Sequence, residues 1–128
     1  MTEQAEQHQP ILVIDDDQKF LDMVSEFLHS AGFHSVQATN GFDGLKELGT
    51  QNPRLVILDI NMPQLDGLQT CRMIRSNEKY RDIPVLMLTG RGDITDMMEA
   101  RKMGADDYLV KPFDSQTLIQ KIERLFAR

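Results

Sequence analysis

A single cysteine, Cys71, stands in the chain, so no disulfide can form within it, and the sequence is compatible with a reducing cytoplasm. No apolar stretch approaches the ~20 residues of a membrane span, which points away from a membrane protein. Positive charge is in deficit, with 14 Lys and Arg against 20 Asp and Glu and a net charge of −6. A nucleic-acid surface needs a concentrated basic patch, so direct nucleic-acid binding is not expected. The three histidines, His8, His29 and His34, share no metal-ligand spacing and read as surface or partly packed side chains. Residues 1–10 are polar, rich in Gln and Glu, and lack the basic and apolar regions of a secretory signal. They read as a flexible tail, leaving 11–128 as one domain long enough for a real core.

What is present is an alternation of short apolar runs with helical patterns. The runs are Ile11 to Ile14, Ser35 to Ala38, Leu55 to Leu58, Val85 to Leu88 and Asp107 to Val110. Three are near-continuously apolar, as strands covered on both faces should be, whereas Ser35-Val36-Gln37-Ala38 is more polar and suits a sheet edge. Phe20, Leu21, Val24, Phe27, Leu28 and Ala31 recur at helical spacing, with Gly32 as the stop. Phe42 to Leu48 is a weaker helix because Gly44 costs about 1 kcal/mol relative to Ala, and it should be the shortest or least stable. Gly67 to Ser76, Ile94 to Met103 and Ser115 to Ala127 complete five helices, the last capped by Asp114 or Ser115. Strict alternation predicts an α/β fold, a doubly wound parallel sheet with helices on both faces and a ligand site at the carboxyl ends of the strands.

Those ends carry Asp15 and Asp16, then Asp59, Thr89 and Lys111. Acids before a helix also cap its free amides, which suffices for Asp17. It does not explain three in a row, because like charges repel and gain little from one dipole. Asp59 follows four buried aliphatics and opens the loop Asp59-Ile60-Asn61-Met62-Pro63-Gln64-Leu65-Asp66-Gly67, so a turn role alone is the poorer reading. Lys111 before Pro112 could be a surface lysine, yet an acidic pocket with a metal and a phosphoryl group needs a fixed cation. Met97, Met98 and Met103 read as core or partner-facing filler, and Cys71 as a small core residue.

Four segments, in order, carry a resemblance: Ile11-Leu12-Val13-Ile14-Asp15-Asp16-Asp17; Asp59-Ile60-Asn61-Met62-Pro63 with Asp66-Gly67; Val85-Leu86-Met87-Leu88-Thr89-Gly90; and Gly104-Ala105-Asp106-Asp107-Tyr108-Leu109-Val110-Lys111-Pro112-Phe113. Over roughly Ile11 to Arg128 the sequence closely resembles response-regulator receiver domains. The resemblance implies a flavodoxin-like, CheY-like sheet of order 2-1-3-4-5. It also implies a phosphoryl group accepted on Asp59 from a sensor histidine kinase or a histidine phosphotransfer protein, and a downstream protein or output domain as target. It casts Tyr108 as an aromatic rotamer switch coupled to Thr89, and Asn61 and Arg91 as positions that tune dephosphorylation.

Phosphoryl transfer asks a protein mainly to position reactants and neutralise the equatorial oxygens. Asp59 would be the nucleophile. The Asp16 and Asp59 carboxylates and the Asn61 main-chain carbonyl would offer oxygens to Mg²⁺, or to Mn²⁺ in its place, with Asp15 acting through a water. Lys111 would pair with one phosphoryl oxygen and Thr89 donate to another. A cis Lys111-Pro112 bond would aim the ammonium inward. Phosphorylation would then remodel the face made by Ile94 to Met103, Asp107 to Val110 and Ser115 to Ala127, a docking or homodimer surface. There Arg101, Lys102, Asp106, Asp107, Lys121 and Arg124 could pair across a symmetric interface, although Met97 and Thr117 break a full set. A haloacid-dehalogenase-like phosphatase is one alternative, but its second aspartate would fall at Asn61. A phosphorylation-independent binding module is another, and the intact set of five residues speaks against it. No output domain follows in this sequence, which fits either a single-domain regulator or an excised piece.

Overall fold

The computed structural model describes residues 9–90 and 94–128. Five strands, β1 (Ile11–Ile14), β2 (Ser35–Ala38), β3 (Leu55–Asp59), β4 (Val85–Thr89) and β5 (Asp107–Val110), form one parallel sheet of order β2-β1-β3-β4-β5. Helices α1 (Gln18–Ser30), α2 (Gly41–Gln51), α3 (Gly67–Ser76), α4 (Ile94–Lys102) and α5 (Ser115–Ala127) alternate with them. This is the fold class that the alternation predicts and the strand order that the resemblance implies. Among the described residues no helix is long and apolar enough to cross a membrane.

Side chains alternate across a strand, so the continuous runs feed two cores. Ile11, Val13, Leu55, Ile57, Leu86 and Leu88 pack with Leu21, Val24 and Leu28 of α1 and Leu118 and Ile122 of α5. Leu12, Ile14, Val56, Leu58, Val85 and Met87 face the other way, onto Leu48 of α2, Cys71 and Ile74 of α3 and Ala100 of α4. Strand β2 is mostly half-buried, in keeping with its polar sequence and edge position. Of the expected tail, only its last two residues are described. There the Arg54 amide donates to the Pro10 carbonyl at 2.9 Å and ties the entry of β1 to that of β3.

Local chemistry sets the element ends. Asp17 caps α1, its carboxylate accepting from the amides of Lys19 and Phe20, which starts the helix two residues before the apolar periodicity begins. Asp66 and Gln69 form a capping box on α3, and Asp114, not Ser115, caps α5. The main departure from expectation is α2, which runs 11 residues against 10 for α3 and so is not the shortest helix. Gly44 packs closely within it: a Cβ there would lie 2.3 Å from Ile14 Cδ1 and 2.9 Å from Ile14 Cγ1, so the glycine lets α2 settle onto β1. Strands β3 and β4 each run one residue further than the apolar runs, taking in Asp59 and Thr89.

Gly67 is still more tightly placed. A Cβ on it would sit 2.1 Å from the Asp59 carbonyl oxygen and 2.7 Å from Ile60 Cα, and backbone cannot step aside as a side-chain tip can. Gly49, by contrast, meets only the Tyr80 hydroxyl at 3.5 Å, an ordinary contact. Gly67→Ala is therefore expected to lower stability by about 3 kcal/mol through overpacking, and Gly49→Ala to raise it by up to about 1 kcal/mol through helix propensity. Urea unfolding of both variants checks the pair, and equal effects would show that close approach does not set the cost.

Candidate functional site at the strand ends

Strands β1 and β3 are neighbours in parallel register, Ile14 opposite Leu58, so the next residue of each is brought to the same place. Those residues are Asp15, fully buried, and Asp59, 4% exposed. With exposed Asp16 they present carboxylate oxygens all within 4.8 Å of one another. On the other side β4 lies against β3 and β5 against β4, which places buried Thr89 next to the cluster and delivers Lys111 from the end of β5. The Lys111 amide donates to the Thr89 carbonyl at 2.7 Å. Its ammonium stands 2.8 Å from Asp15 Oδ2 and 3.7 Å from Asp59 Oδ1. The Lys111-Pro112 bond is cis, as expected.

One ammonium faces three carboxylates, and the balance shows in the acidity of Asp59. Its pKa is pushed up from 3.8 to about 6, first by burial, then by the charge of Asp15 and more weakly by Asp16. Lys111 and the Asn61 amide pull the other way. That amide donates to Asp59 Oδ1 at 3.3 Å, so Asn61 touches the Asp59 carboxylate through its backbone. Three hard oxygen donors, only partly compensated by one ammonium and partly open to solvent through Asp16, are the chemistry a small divalent cation requires, and the residues present fit Mg²⁺ or Mn²⁺.

The five strand-end residues thus converge, with the Asn61 backbone beside them. Tyr108 pairs with Met87, two residues back from the Val110-Thr89 pair and so on the same face of the sheet, half-buried and with the Lys121 ammonium 5.3 Å from its ring centre. Arg91 lies outside the described residues. Cys71 is buried, its thiol pushed up to about 11 chiefly by that burial, consistent with a core role. Four of the charges expected to be available for an interface are engaged within the chain, Lys102 with Glu99 at 3.8 Å among them. Asp106 binds Arg75 at 2.8 Å and Arg128 at 2.6 Å, and Asp107 binds Lys121 at 3.1 Å. Sequence reasoning missed the aromatic side of the site. The Phe20 ring lies 4.0 Å from Lys111 Nζ, and Phe113 meets Phe20 edge to face. Phe20 reads from the sequence only as an apolar helical position and Phe113 only as part of a resembling segment, because nothing in spacing separates a ring that packs from a ring that faces a cation.

The comparisons agree with this geometry. A family model for the response regulator receiver domain matches residues 11–123. The chain is 42% identical over 118 residues to the DNA-binding dual master transcriptional regulator RpaA of Synechocystis sp., covering 92% of this chain and 49% of that one. It is 34% identical over 113 residues to protein PilG of Pseudomonas aeruginosa, covering 88% of this chain and 84% of that one. The chemotaxis protein CheY4 of Vibrio cholerae superposes with a TM-score of 0.87 at 31% identity, covering 91% of this chain and 97% of that one. The chain spans about half the length of most of the curated relatives it matches.

The raised pKa of Asp59 has a thermodynamic consequence. The folded protein holds a proton that the unfolded chain gives up near 3.8, so this group favours the fold fully below about pH 4, and that contribution is lost as pH rises through 6. Above pH 6 the metal-free fold retains a charge its surroundings disfavour, costing about 1–3 kcal/mol. Asp59→Asn removes the charge and keeps the acceptor oxygen. In metal-free buffer its stability is expected to match the parent near pH 4 and to exceed it by about 1–3 kcal/mol at pH 7. Denaturant titrations across that range decide the matter, and a gap that fails to widen with pH would assign the strain elsewhere.

Proposed function

The chain belongs to the response regulator receiver domain family, and from that premise we propose that it accepts a phosphoryl group on Asp59 and uses it to switch the surface formed by α4, β5 and α5. What supports this above all is one arrangement: a buried carboxylate at the end of the central strand, Asp15 and Asp16 beside it, and the Lys111 ammonium 3.7 Å away. Asp59 is the nucleophile toward a phosphohistidine of a sensor kinase or a histidine phosphotransfer protein. Lys111 sits to receive one phosphoryl oxygen, and Thr89 at the end of β4 to donate to another. When bound at Asp16, Asp59 and the Asn61 carbonyl, with Asp15 acting through a water, Mg²⁺ would offset the negative charge that otherwise accumulates there.

The reaction is a self-modification; the protein is a signalling switch and not an enzyme in the usual sense. Residues 11–128 form the receiver and 1–10 its tail, in a cytoplasmic setting in keeping with the lone buried thiol. Asn61 and Arg91 tune loss of the phosphoryl group. The target is a downstream protein or an output domain, with homodimerisation through α4, β5 and α5 as a further use of the same face. RpaA is named as DNA-binding, yet this chain corresponds to only 49% of it, and a net charge of −6 argues against DNA contact by this domain itself. The family match favours the receiver over a haloacid-dehalogenase-like phosphatase, whose second acid would fall at Asn61.

Intact mass after treatment with a small phosphodonor should show one added phosphoryl group with Mg²⁺ and none after chelation or in Asp59→Asn. An equally abundant phosphorylated species in Asp59→Asn would overturn the assignment of the acceptor.

A ligand shifts a population only through contacts that differ between states, and Thr89 and Tyr108 share one face of the sheet along which such a contact can act. Beryllofluoride, a phosphoryl mimic, should therefore alter amide exchange in β5 (Asp107–Val110) and α5 as well as around Asp59. Changes confined to the Asp59 loop would leave a phosphate site without a switch.

A further inference from the structure

Lys111 is held from two sides, and only one of them is ionic. Its ammonium binds Asp15 at 2.8 Å and stands over the Phe20 ring at 4.0 Å from the centroid. Phe20 lies in the first turn of α1, and the Asp17 cap that accepts the Phe20 amide fixes where that turn starts. Its ring in turn takes the edge of Phe113, with centroids 5.7 Å apart at 87°, and Phe113 directly follows the cis Lys111-Pro112 turn. The chain thus closes a loop on itself, in which Lys111 aims inward and, two residues on, Phe113 props the ring that faces the lysine. An ammonium is a strongly hydrated point charge on a flexible stem. A ring face against it displaces water and removes rotamers without consuming any of its three N–H donors.

We infer that Phe20 is a positioning residue for phosphoryl recognition, its π face, braced by Phe113, holding the Lys111 ammonium at the carboxylate cluster. The inference rests on the reading of Asp59 as phosphoacceptor. A helical apolar position filled by Leu would complete the α1 core equally well, so core packing alone does not call for an aromatic; a π face beside the cation does. The phosphoryl group carries most of its charge on oxygens that Lys111 must meet without first shedding water or reorganising. Loss of the ring therefore weakens recognition while the acceptor stays intact.

Beryllofluoride titrations with saturating Mg²⁺ test this on the full chain and its Phe20→Leu and Phe20→Tyr variants, each in the parent and in the Lys111→Met background. Phe20→Leu is expected to weaken binding about 3- to 10-fold and Phe20→Tyr to restore it to within about 2-fold. In Lys111→Met the Phe20→Leu change should have no further effect, a non-additivity that general loosening of the core would not produce. Where Lys111→Met binds too weakly to titrate, the Lys111 Hε resonances decide: a ring-current upfield shift present in the parent and in Phe20→Tyr should vanish in Phe20→Leu. Equal loss in both backgrounds, or Hε resonances unchanged in Phe20→Leu, would overturn the positioning role. A parent that takes up neither beryllofluoride nor a phosphoryl group would instead refute the reading of Asp59.

Discussion

The forced approach of Asp15 and Asp59 is the constraint on which the rest of the molecule depends. Two buried carboxylates side by side repel, and burial first, then the charge of Asp15, raises the pKa of Asp59 to about 6. They stay together because their strands are locked in parallel register by backbone bonds and by two apolar cores, neither of which the charges can rearrange. Lys111 relieves part of the repulsion from the far end of β5, and the remainder is a standing demand for positive charge. Such a demand is the chemistry that a small divalent cation satisfies.

Several features that look unrelated serve this one arrangement. Gly67 allows α3 to start against the backbone of Asp59 and Ile60, and the capping box of Asp66 and Gln69 fixes that start. Asp17 starts α1 so that its first turn passes beside Lys111. Gly44 brings α2 down onto β1. Each acts on the orientation of a strand end or on the element that covers it, and none needs to touch a phosphoryl group.

The opposite edge of the sheet is organised differently. Asp106, just before β5, accepts from the Val85 amide and from Arg75 of α3 and Arg128 after α5, so one carboxylate joins β4, α3 and the end of the chain. Arg75 further donates to the carbonyls of Gly104, Arg81 and Ile83. Asp106, Asp107 and Lys121 looked from the sequence like candidates for pairing between subunits, and each is engaged within the chain. Spending them within the fold leaves Met98 of α4, 57% exposed, as an apolar feature of that face.

The one-dimensional pattern determined much. Period and alternation gave five strands, five helices and a parallel sheet, because burial on both faces leaves an unbroken apolar run and helices leave a 3.6-residue rhythm. It also pointed to the candidate site, since residues that end strands of a parallel sheet must emerge on one edge. What it could not hold was distance and direction. That α2 is full-length despite Gly44, that Asp106 and Asp107 find partners within the chain, and that Phe20 turns its face to Lys111 all depend on which atoms meet across the sheet. A glycine, an acid or a phenylalanine is written the same way whether its neighbour is solvent, backbone or an ammonium, and only the folded chain decides which.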